Sequence, residues 1–171
     1  MGTTLRSVDE IKDEIREAFA GVKLDGGISL NQTKVIDNYG RECSEDEFNA
    51  LPLSEVTDDW TKVSSKALDE AECLAFLDDL GFRYYIPALM CRLLDNYDSG
   101  SMMSIGTLRG LYPDSEYYRQ RYAKLSEPQS VAIAKFVQFL PNHISLDTED
   151  KTIVERAFQK YWLKFLEDIR K

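Results

Sequence analysis

Histidine is almost missing from this chain: among 171 residues the only one is His143. That excludes paired-histidine metal sites and argues against a histidine general base. Its place after Pro141, among polar residues, predicts a solvated loop position. Cysteine is scarce too. Cys43, Cys73 and Cys91 are odd in number, far apart, and share no metal-ligand or redox-motif spacing, so they read as reduced cytoplasmic thiols. Nine glycines and five prolines are too few for long disordered tracts. There is no Gly-rich phosphate loop, zinc spacing or nucleophile elbow, and Asp95–Gly100 lacks the alternating ligands and closing Glu of a calcium loop. No apolar run reaches the ~18 residues of a membrane span. The amino terminus lacks the apolar centre of a signal peptide, and Arg6 stands where a myristoylation motif needs Ser or Thr. The expectation is a cytoplasmic protein with no membrane contact, no cofactor and no metal.

What is present is charge of one sign in one place. The formal net charge is −9. Residues 41–80 hold twelve acids against three bases, residues 1–40 carry −2, and residues 81–171 carry +2. Clustered acid attracts basic partners and repels anions, so nucleic acid is excluded as a partner. A hydrophobic share of 43% supplies a sizeable core, and the length predicts one domain over residues 1–171.

Apolar spacing is helical nearly everywhere. Val8, Ile11, Ile15 and Phe19 step by three and four, behind a capping pair Ser7/Glu10 and ahead of a stop at Gly21. Ser29/Gln32, Ser44/Glu47 and Ser126/Gln129 repeat the capping pattern. Gly40, Pro52, Gly81 and Pro141 read as stops, and Pro87 as the first turn of a central helix running to about Tyr97. Residues 66–80 read as a helix, 52–65 as irregular with Trp60 pinning the loop, and 102–112 as either helix or strand. The last helix, capped by Asp147 or Thr148, carries apolar residues from Ile153 to Ile169 over roughly 220° of arc at ~100° per residue. Such an arc is either wedged between neighbours or shared with a second copy, which makes this helix the candidate homodimer face. The expected fold is all-α: a compact single-domain bundle of about six helices with short irregular segments.

Residues 81–88, Gly-Phe-Arg-Tyr-Tyr-Ile-Pro-Ala, together with Arg121–Ser126 and Tyr161-Trp162, resemble an uncharacterised bacterial family of small acidic proteins, a domain of unknown function. Trp60 and the Leu111-Tyr112-Pro113 step match as well. The resemblance implies an all-helical fold and carries over no functional residue.

No catalytic residue is assigned. The candidate partner-binding residues are Glu45, Asp46, Glu47, Asp58, Asp59, Trp60, Arg83 and Tyr84, the last two because Arg–Tyr mixtures favour interaction hot spots. Tyr117–Tyr122 offers a second such mixture, whose Arg stems would otherwise lie along half-buried rings. Arg83 is expected beside Tyr84 or Tyr85. The predicted function is a non-catalytic module that binds another protein, with an inhibitor- or immunity-type role against a basic partner fitting the charge. The alternative is a carboxylate enzyme, with or without a divalent metal, centred on Asp58 and Asp59.

Overall fold

The computed structural model describes residues 6–37 and 43–167. Helix accounts for 69% of the protein, and no strand occurs among the described residues. The expected stop at Gly40 and the residue Ile169 lie outside the described residues.

Side-chain caps set most helix starts. Helix α1 (Val8–Ala18) begins at Ser7, whose Oγ accepts the Glu10 N–H, and is followed by Gly21 at φ +76°. Helix α2 (Leu30–Asp37) has a full capping box: Ser29 Oγ accepts Gln32 N–H, and Gln32 Oε1 accepts Ser29 N–H. Ser44 caps α3 (Glu45–Ala50) in the same manner. Pro52 does not end the helical path there. It sits in the first turn of a tighter 3₁₀ segment, Leu51–Ser54, where its missing N–H costs nothing.

Residues 66–80 are not one helix. Helix α4 (Ser65–Asp69) gives way to a short 3₁₀ turn, Leu74–Phe76, before α5 (Asp79–Asn96) starts. Gly81 lies inside the first turn of α5, not at a stop. Asp78 Oδ1 accepts both Gly81 N–H and Ile28 N–H, drawing the loop before α2 onto this turn. A Cβ on Gly81 would come within 2.5 Å of the Ile28 carbonyl oxygen, so the glycine serves close approach. Pro87 lies in the middle of α5, not at its start. Proline inside a helix removes one ladder bond. Here burial of Ile86, Ala88, Leu89 and Met90 around it holds the helix together.

Helix α6 (Met102–Gly110) settles residues 102–112 as helical, and α7 (Glu116–Gln120) is a short turn. Helix α8 (Glu127–His143) opens with a full Ser126/Gln129 capping box. It continues through Pro141, which therefore does not stop it. His143 is in its last turn, not in a loop, and its exposed ring stacks on Phe139 at 4.0 Å. Asp147 caps α9 (Thr148–Ala157), followed by one π turn, Phe158–Trp162, and α10 (Leu163–Glu167).

One apolar cluster joins these elements. Helix α8 lies against α1, α9, the π turn and α10, while α5 lies against α1, α4 and α6. Leu93 of α5 is 0% exposed and Leu94 is 7% exposed. Truncating either to alanine should cost about 2–5 kcal/mol in urea melts, as for a core cavity. A loss under ~1 kcal/mol for both would remove α5 from the core.

Candidate functional site

The acidic segment between α2 and α4 forms a strap, residues 48–62, over one side of the core. Five hydrogen bonds pin it, three from side chains, one from an Asn31 amide and one from a Leu24 amide. Gln32 Nε2 donates to Phe48 O at 3.0 Å, and Asn31 N–H to Glu55 Oε1 at 3.1 Å. The Tyr84 hydroxyl donates to Val56 O at 2.7 Å, and Leu24 N–H to Thr57 O at 2.9 Å. Trp60 Nε1 donates to Phe19 O at 2.9 Å.

These bonds divide the predicted contact residues into two groups. Trp60 is 5% exposed and Tyr84 is 0% exposed; both are anchors inside the core. Burial pushes the Tyr84 hydroxyl up to about 12, so it stays a protonated donor. Glu45, Asp46 and Glu47 stand exposed on α3, and Asp58 is exposed on the strap. Asp59 is half-buried and committed to local structure. Its carboxylate accepts Thr61 N–H and Thr61 Oγ–H at 3.0 and 2.6 Å, and the hydroxyl bond holds it below the usual carboxylate range. Arg83 pairs with Asp25 at 3.0 Å. Tyr84 and Tyr85 meet each other edge-on at 4.8 Å.

Between the pinned points the strap exposes apolar surface. Leu53 is 87% exposed and Val56 is 38% exposed, and neither was marked by sequence, since one leucine beside a proline carries no pattern. Val56 also lines a cavity of about 280 Å³ between α2, the strap, α4 and Tyr85. Glu55 and Tyr85 reach it from opposite sides of the chain order, and Lys34, Lys62 and Glu70 ring it.

The Arg–Tyr stretch around α7 is interior rather than a contact surface at its basic centre. Arg121 is 4% exposed, donates to Leu74 O at 3.0 Å, and lies 4.8 Å from the Tyr118 ring centre and 5.2 Å from that of Phe82. Burial lowers its pKa. Tyr122 packs on Phe82, Tyr161 and Trp162.

No group of three or more His, Cys, Asp or Glu side chains gathers into a metal-sized cluster among the described residues. All three cysteines are free and half-buried, and burial pushes the Cys91 thiol up to about 11, which makes it a poor nucleophile at neutral pH. Among the described residues no helix is long and apolar enough to cross a membrane.

Fold and strap together define a small all-α protein with a pinned acidic loop over a closed core. The profile of a family of unknown function (DUF6714) matches residues 7–166, and the chain belongs to that family. No curated protein and no solved structure matches it.

Proposed function

We propose that this chain is a non-catalytic binding module of the bacterial cytoplasm that docks a basic protein segment on its acidic strap. The exposure of Leu53, at 87%, on a loop held at five points supports this most directly. A leucine in water gains nothing for the free chain, and burying it on a partner returns roughly 1.5–3 kcal/mol. Because the strap is already ordered, docking spends little entropy on it. Exposed Glu45, Asp46, Glu47 and Asp58 flank the apolar tip in sequence, and their charge favours a partner with complementary positive charge. An inhibitor- or immunity-type role uses the same arrangement, a negative surface presented to a basic target.

A photo-crosslinking residue at Leu53 should give a discrete protein adduct in cells, whereas the same residue at exposed Lys124 should not. With that partner captured, the triple change E45Q/D46N/E47Q should slow association severalfold near 0.1 M salt, where screening reaches about 10 Å, and much less at 1 M. Losing three acids from the first turn of this short helix should cost about 1–2 kcal/mol at most, because they are exposed, and leave the core melt cooperative. Equal labelling from both positions, or association indifferent to the triple change, would reject the proposal.

A further inference from the structure

The π turn, α10 and α7 together form a cationic shelf set with aromatic rings. Lys160 and Lys164 are exposed along the π turn and α10, and Arg119 is exposed on α7. Lys160 Nζ donates to the Tyr112 hydroxyl at 3.2 Å. Lys164 Nζ lies 4.0 Å from the Tyr161 ring centre and 5.1 Å from that of Phe165. Burial raises the pKa of the Tyr161 hydroxyl, and the Arg119 charge opposes that rise, so Arg119 belongs to the same shelf. The three rings are half-buried. They attract the cations without neutralising them. Among the described residues none of the three cations takes part in an ion pair. In a chain of net charge −9 this is an unmatched positive surface.

We infer that this shelf receives the acidic strap of a second copy, so that copies join head to tail. The inference rests on the docking surface proposed above and names its basic partner as this same chain. Each side carries what the other lacks. Glu45, Asp46, Glu47 and Asp58 are exposed and, among the described residues, take part in no ion pair. They bring negative charge to Arg119, Lys160 and Lys164. Leu53, 87% exposed, meets the half-buried rings, and aromatic residues with Arg are the groups enriched at such contacts. The strap packs on α2 and α5, whereas the π turn packs on α8 and α9 and α10 packs on α8. A strap therefore meets a shelf only between copies. Repulsion between two chains of net charge −9 is screened over about 8 Å at 0.15 M salt, so the facing charges decide at contact. Because the two surfaces differ, the contact is heterologous, and it closes into a ring or continues as a filament.

Sedimentation equilibrium of the full chain, from roughly 1 μM to roughly 1 mM, tests the inference. The average mass should rise with concentration above that of one chain. K160E/K164E and E47K/D58K change exposed residues, so both variants should keep a cooperative melt. Each alone should self-associate about tenfold or more weakly than the unaltered chain. Mixed in equal amounts the two should associate again, because one supplies an intact strap and the other an intact shelf. The photo-crosslinking residue at Leu53 should give an adduct of two chains. A single-chain mass up to the highest concentration, self-association that either variant leaves unchanged, or a mixture that stays monomeric would overturn the inference. A Leu53 adduct with a different protein, beside a monomeric chain, would overturn it and leave the docking surface standing. No adduct of any kind would reject both.

Discussion

A chain ending at Asp147 should lose its cooperative melt. The removed segment, α9 through α10, carries Val154, Ala157, Trp162 and Leu166, all buried. Trp162 is 0% exposed; its Nε1 donates to Leu111 O at 2.8 Å and its ring meets those of Tyr122, Tyr161 and Phe165. Without this segment the side of α8 that α9, the π turn and α10 cover would lie open to water. Typical domains hold only about 5–15 kcal/mol of net stability, less than such a loss. The graded version is Trp162→Ala, expected to cost about 3–5 kcal/mol. Urea melts followed through Trp60 fluorescence decide both. A truncated chain with a sharp, unshifted transition would show that α9 and α10 are an ornament on a core complete without them.

Trp60→Ala should cost a similar ~3–5 kcal/mol and release the strap. The indole fills the space between the strap and α5 and bonds the Phe19 carbonyl at the end of α1. Trp60→Phe keeps most of the volume and strands that carbonyl, so about 1–3 kcal/mol is expected from it. Hydrogen exchange supplies the second measurement: amides of residues 55–63 should exchange much faster in Trp60→Ala, while those of α8 change little. A variant that melts normally and exchanges normally would make Trp60 a surface contact, contrary to its burial.

The caps were the most legible part of this fold. Ser7, Ser29, Ser44, Ser126 and Asp147 all accept the backbone N–H three residues on, an arrangement complete within four residues of sequence. The breakers were less legible, because their effect is decided elsewhere. Gly81 and Pro87 read as punctuation, yet Gly81 is required by the Ile28 carbonyl 53 positions earlier and Pro87 is carried by the burial around it. Pro141 survives likewise near the end of a helix packed along its length by α1, α9 and α10. Trp60 as a pin was visible from its size alone. The cavity was not visible at all. It is assembled from α2, the strap, α4 and one tyrosine of α5, and no local pattern joins Glu55 to Tyr85 across thirty positions.

The wide apolar arc of the last helix has its explanation in the π turn at Phe158–Trp162. Such a turn bonds i to i+5 and holds one residue more than the regular ladder. Counted at a uniform angle, the residues after it seem to wander around the helix; in the structure Trp162 and Leu166 point back into the core. Seen as an alignment problem, the extra residue is a phase correction. Deleting Gln159 would restore an ordinary helix and leave Leu166 aimed into the core, whereas forcing all the residues into a regular helix would swing everything beyond the turn by about 100° and carry Leu166 out. A relative one residue shorter between Asp147 and Leu166 should therefore carry an unbroken α-helix here with the same side chains facing the core.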